Sequence, residues 1–158
     1  MNYINLDELK YAWVFRFKQL PISDDDRQHI KAMTTARSAT LWGQFIAKHA
    51  DHPDFIDERD WPGQSNTWQE NGNWQDAWES DDDALPELLS DYLSDWQDNA
   101  TVYFCNSRKQ VIETRFDVFI RCWKNFLMMD DGPLLIAKKA KQAVQFFPDG
   151  SYRLGLRP

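Results

Sequence analysis

Apolar and polar positions change rhythm along this chain. Leu6 to Phe17 mixes two patterns, with Leu6, Leu9 and Trp13 at helical spacing and Trp13, Phe15 and Phe17 alternating. It reads as a short helical turn followed by a short strand that stops before Pro21. Ser23 is placed to accept a bond from the Asp26 N–H and open a helix, with Asp24, Asp25 and Asp26 at the positive end of its dipole. From Thr35 to His49, Leu41, Trp42, Phe45 and Ile46 form one stripe, predicting a helix that ends before Pro53. Residues 53–83 have no clear period. Trp61 and Trp68 stand in turn-rich sequence, while Trp74 and Trp78 are spaced to share a short helix face. The pattern predicts a long acidic, Trp-rich irregular segment. From Asp83, the stripe Leu85, Leu88, Leu89, Tyr92, Leu93 and Trp96 predicts a further helix with Pro86 in its first turn.

The last third turns β-rich. Ala100–Cys105 and Gln110–Glu113 predict two strands around a turn at Asn106–Lys109. Thr114 with Asp117 resembles a capping box, opening a helix that carries Phe116, Phe119, Ile120, Trp123, Phe126 and Leu127. Asp130-Asp131-Gly132-Pro133 ends it. Strands follow at Leu134–Ala137, Ala143–Phe147 and Tyr152–Leu156, the last two joined by a turn at Phe147-Pro148-Asp149-Gly150. The predicted class is α+β: N-terminal helices, then a mainly antiparallel sheet crossed by one helix.

Composition adds bounds. The chain has 158 residues, enough for one domain with a sizeable core, and its 15% aromatic content argues against intrinsic disorder. No apolar run is long enough for a membrane helix, and acids and bases interrupt the first twenty residues where a signal peptide would need an apolar core. Cys105 and Cys122 do not make a disulfide framework, which points to reduced thiols and a cytoplasmic location. Charge is uneven. Residues 51–98 hold fifteen acids and one base, Arg59, for a net −14, against a whole-chain net charge of −7. Such asymmetry bears on partners and solubility.

Common catalytic motifs are missing. The glycines form neither a dinucleotide nor a phosphate loop, there is no nucleophile elbow, and no cofactor is implied. His49 and His52, with Asp51 and Asp54 nearby, could serve as metal ligands or as acid and base, but no second ligand cluster accompanies them. Cys105 and Cys122 lie in apolar runs with no adjacent base and read as small core hydrophobes. Asp81, Asp82 and Asp83 lack an EF-hand frame and read as a helix start. Lys138, Lys139 and Lys141 form a basic cluster suited to phosphate or nucleic acid, although overall acidity opposes a polyanion. The strongest functional feature is the acidic, Trp-rich centre. Acids around Trp61, Trp68, Trp74 and Trp78 suit a basic protein partner, with Asp81, Asp82 and Asp83 supplying steering charge.

Val102-Tyr-Phe-Cys-Asn-Ser, Cys122-Trp-Lys-Asn-Phe-Leu127, Asp131-Gly-Pro-Leu-Leu-Ile136 and Val144-Gln-Phe-Phe with Asp149-Gly150 resemble a bacterial family known only as a domain of unknown function. The likeness extends to His52-Pro-Asp-Phe and Trp61-Pro, and it implies no activity. More loosely, a small acidic α+β domain of this kind is similar to toxin-immunity proteins. The expected function is therefore a non-enzymatic acidic protein-binding module. An enzyme using central carboxylates with His49 or His52, and a phosphate or nucleic-acid binder through Lys138, Lys139 and Lys141, are the alternatives.

Overall fold

In the computed structural model, which describes residues 1–129 and 131–158, eight antiparallel strands form one sheet. They are β1 (Tyr3–Ile4), β2 (Lys31–Met33), β3 (Trp68–Asn73), β4 (Thr101–Ser107), β5 (Gln110–Arg115), β6 (Leu134–Ala137), β7 (Gln142–Phe146) and β8 (Ser151–Leu156). Their spatial order is β1-β2-β5-β4-β6-β7-β8-β3. The helices are α1 (Asp24–Gln28), α2 (Thr35–Phe45), α3 (Gln75–Glu79), α4 (Glu87–Tyr92) and α5 (Phe116–Phe126). The protein is α+β.

The runs Val102–Cys105 and Leu134–Ala137 are apolar at every position because both faces of the sheet centre are buried. Val102, Phe104, Ile112, Leu135, Val144, Phe146, Tyr152 and Leu154 face one core, which α5 crosses as its stripe predicts. Rings there meet edge to face, with Phe104 and Phe126 centroids 5.0 Å apart at 61°. Tyr103, Cys105, Val111, Leu134, Ile136 and Ala143 face a second core covered by α2, Ile46 and Ala47.

Several local expectations hold in detail. The Ser23 hydroxyl accepts from the Asp26 N–H at 3.0 Å and caps α1. Gly132 and Gly150 take φ of +84° and +91°, the left-handed turn conformation that suits glycine. Asp130, part of the predicted turn, lies outside the described residues.

Other expectations are corrected. The alternation at Trp13, Phe15 and Phe17 is no strand. Ala12–Arg16 is a 3-10 turn in which Phe15 goes into the core against Phe126, while the exposed Trp13 meets the half-buried Phe17 edge to face. The strand at this end is the two-residue β1. Helix α2 ends at Phe45, where the chain leaves the helix so that the Trp42 indole N–H can donate to the Ala50 carbonyl at 2.7 Å. Thr114 lies within β5 and does not cap α5; Asp117 accepts from the Val118 N–H at 2.9 Å instead.

Residues 53–83 depart furthest from expectation. Three 3-10 turns lead into β3, which pairs with β8, and α3 follows. Strand β3 reads Trp-Gln-Glu-Asn-Gly-Asn, and as an edge strand it needs few apolar side chains. Two cross-strand aromatic–glycine pairs fix its register. Gly72 lies opposite Tyr152, and Trp68 lies opposite Gly155. A Cβ on Gly72 would strike the Tyr152 ring, and one on Gly155 would strike Thr67 and Trp68. Each glycine admits the ring that covers it.

Candidate functional site

The central tryptophans point inward. Trp74 is 7% exposed, and its indole N–H donates to the Phe147 carbonyl at 3.1 Å. Trp78 is half-buried and donates to the Lys124 carbonyl at 2.8 Å. Trp61 donates to the Phe45 carbonyl and Trp68 to the Pro62 carbonyl, with their rings 6.0 Å apart against the second core. Trp74 and Trp78, expected among the partner-binding tryptophans, have their indole donors already engaged within the chain. The structure separates the four rings, placing Trp61 and Trp68 beside one core and Trp74 and Trp78 beside the other.

What the inward rings hold is an acidic ribbon. Between residues 76 and 98 the chain carries nine acids, no Lys, Arg or His, and every one of those acids is exposed. Leu85, Leu89, Leu93 and Trp96 fasten the ribbon to the α5 core. The buried Lys124 ammonium donates to the backbone carbonyls of Ser80 and Asp82, both at 2.9 Å, and the Trp123 indole donates to the Asp83 carbonyl at 2.8 Å. Backbone is held while the carboxylates of Asp81, Asp82 and Asp83 remain in solvent. Among the described residues the ribbon's one ion pair with a base is Asp83 to Lys124, at 3.8 Å.

Trp13 is the outward-facing tryptophan. It is 48% exposed, and its indole N–H has no hydrogen-bond partner among the described residues. Asn125, buried at the end of α5, donates to the Val14 and Leu20 carbonyls and so fixes the Trp13 segment to the helix. Leu20 and Pro21 line a small cleft with Asp83, Arg121 and Trp123, so this segment and the acidic ribbon meet over the same helix. Sequence reasoning missed Trp13, whose only signal was the pair of bases, Lys10 and Arg16, three positions away on either side.

The remaining candidates have structural partners. Asp60 is buried, which works to raise its pKa, but bonds from the Lys48 and His49 backbone N–H groups outweigh burial and lower it. His49 lies 3.4 Å from that carboxylate. His52 accepts from the Asp54 N–H at 3.1 Å and caps a turn. Among the described residues no three His, Cys, Asp or Glu side chains gather at a metal-sized site. Burial pushes both thiols up, Cys122 to about 12 with help from the Asp26 charge, so they are protonated at neutral pH. Lys138, Lys139 and Lys141 are exposed on the β6–β7 connection, where the first two line a cleft of about 420 Å³ with Asp95, Trp96 and Asn99. No helix among the described residues is long and apolar enough to cross a membrane.

An antiparallel sheet covered on both faces, with an acidic ribbon fastened over one of them, defines an α+β protein. The chain belongs to a family described as a protein of unknown function (DUF2947), matched over residues 3–155. No curated protein and no solved structure matches it.

Proposed function

We propose that the protein is a non-enzymatic binding module whose ribbon of residues 76–98 engages a basic protein partner. One observation carries the reading: nine exposed carboxylates lie on a ribbon whose backbone is tied down by Lys124 and Trp123, with a single contact to a base among the described residues. Charges that only needed solvation would require no such support. Opposite potential speeds the arrival of a basic partner, and Trp13 offers a half-exposed ring, its indole donor unpartnered among the described residues, on the N-terminal segment that meets the ribbon over α5. Asp81, Asp82 and Asp83 supply the steering charge, whereas Trp74 and Trp78 act beneath them as supports. An immunity-type module that captures a basic toxin is one form of this reading.

The test is affinity capture from native cell extract, eluted by a rising salt gradient and identified by mass spectrometry. It is run in parallel with a D81N/D82N/D83N variant and with W13A. A basic partner released by salt, captured by the wild type and depleted about tenfold with the triple variant, supports the reading. Equal capture by wild type and triple variant, or no capture above background, overturns it.

A further inference from the structure

We infer that the cavity between residues 53–65 and the β7–β8 surface is a binding site for a small oxyanion, a carboxylate or phosphate group, held by Arg153. This site is independent of the acidic ribbon. The chain has nine arginines. Six of them, Arg16, Arg27, Arg59, Arg108, Arg115 and Arg121, contact a carboxylate. Arg153 contacts none among the described residues. Its Nε and Nη2 donate to the Gln145 Oε1 at 3.0 and 2.7 Å, and Nη2 also donates to the Pro62 carbonyl at 3.0 Å. All of these acceptors are neutral. Gln145 is 4% exposed and is itself fixed by donating from Nε2 to the Gly132 carbonyl at 3.1 Å.

The guanidinium is thus aimed from three directions. It lies against the Trp68 ring, 4.2 Å from its centroid, and 5.3 Å from that of Phe147. Rings and amide oxygens orient a cation without cancelling its charge. Burial lowers the Arg153 pKa, and no carboxylate offsets that effect. An uncompensated, partly desolvated charge gains most from an anion that arrives later. Nη1 has no partner among the described residues, and Arg153 lines a cavity of about 360 Å³. That volume exceeds the ~30 Å³ share of one water severalfold and falls in the range of small-molecule sites.

The walls are preformed. Pro53, Ile56, Pro62, Gln64 and Ser65 line the cavity, and no acid does among the described residues. Trp61 and Trp68 tie the covering segment down through the Phe45 and Pro62 carbonyls, and the Thr67 hydroxyl donates to the Trp61 carbonyl at 2.6 Å. Gly63 permits the close approach of this segment to the Asp57 backbone, which a Cβ would strike. A rigid pocket with one oriented, unneutralised guanidinium is how proteins seat a planar or tetrahedral oxyanion.

The test follows the Trp68 indole N–H by ¹⁵N NMR during separate titrations with inorganic phosphate and sodium acetate, each at ionic strength held constant with sodium chloride. A saturable shift with either anion, absent when chloride alone is varied, supports the site, and the tighter anion identifies the head group. Arg153→Lys removes the oriented fork but also a tie to Pro62, so its fold can loosen. Ser65→Asp is the decisive variant, because Ser65 is exposed and the change leaves Arg153 and its bonds in place. The new carboxylate at the cavity wall should weaken anion binding at least tenfold with an unchanged or raised melting temperature. Shifts that stay linear and match the chloride control, or a Ser65→Asp protein that titrates like the wild type, overturn the assignment.

Discussion

Trp74→Ala measures whether the inward tryptophans hold the acidic ribbon in place. The ring is 7% exposed within the α5 core. An indole of this kind removes roughly 200 Å² from water, and at ~25 cal/mol per Å² that is about 5 kcal/mol. Alanine recovers a fraction of this but leaves a cavity, so the expected cost is about 3–5 kcal/mol. For a chain of 158 residues the melting temperature should fall by roughly 6–20 °C, at about 2–4 °C per kcal/mol. Trp74→Phe separates ring from hydrogen bond. The Phe147 carbonyl also accepts from the Gly150 N–H at 3.2 Å, so losing the indole donor does not orphan it. This variant should lose only about 1–2 kcal/mol. Trp13→Ala is the surface control and should stay within about 1 kcal/mol of the wild type, since that ring is 48% exposed. Urea unfolding followed by far-UV circular dichroism gives all three values, provided the m-value is unchanged. A Trp74→Ala protein within 1 kcal/mol of wild type, or a Trp13→Ala protein as destabilised as Trp74→Ala, would refute the placement of these rings.

Two further predictions concern the scaffold. Asp26 has its pKa lowered by the bidentate bond from Arg121, at 2.9 and 2.8 Å, and Asp117 by its bond from Arg115. A depressed folded pKa contributes stability that is present above the unfolded value near 4 and is lost as pH falls through the folded one. Stability should therefore decline below about pH 5, and Arg121→Met should flatten that decline while costing about 1 kcal/mol at neutral pH, its guanidinium being half exposed. Acid titrations of the urea midpoint check this, and an unchanged slope in the variant would remove Asp26 from the account. Gly72→Ala forces a Cβ onto the Tyr152 ring, which is 1% exposed and has no room to retreat. The expected loss is about 1–3 kcal/mol, with faster amide exchange confined to β3, and a neutral result would mean that the β3–β8 register is not set by this pair.

What the sequence disclosed depended on where each residue's partners lie. The central strands were legible because burial on both faces writes an unbroken apolar run, as in Leu134–Ala137. The α5 stripe was legible because its partners are spread over the sheet, so Phe116, Phe119, Trp123 and Phe126 recur at helical spacing, while the buried Lys124 and Asn125 gave no such signal. Strand β3 was not legible, since an edge strand can be polar and the residues that set its register, Tyr152 and Gly155, lie some eighty positions away. The alternation at Trp13, Phe15 and Phe17 misled because a 3-10 turn repeats every three residues, so positions two apart need not share a side. The orientation of Arg153 depends on Gln145 and Pro62, which only the folded chain brings together.

Composition also concealed the division between support and surface. Eight tryptophans in an acidic chain suggest a sticky face. Yet the indoles of Trp42, Trp61, Trp68, Trp74, Trp78, Trp96 and Trp123 all donate within the chain. Those bonds stretch over the segments least able to hold themselves, the turns of residues 46–68 and the ribbon of 76–98. The need is electrostatic in the second case, because nine like charges with one basic contact repel one another and favour a detached, extended ribbon. Lys124 answers that repulsion while pairing with only one of the nine carboxylates, Asp83 at 3.8 Å. Its ammonium is spent on the Ser80 and Asp82 carbonyls, beneath the carboxylates, so the potential above the surface survives. A cation placed to pair with those carboxylates would have stabilised the ribbon more directly and removed the field that a basic partner could sense.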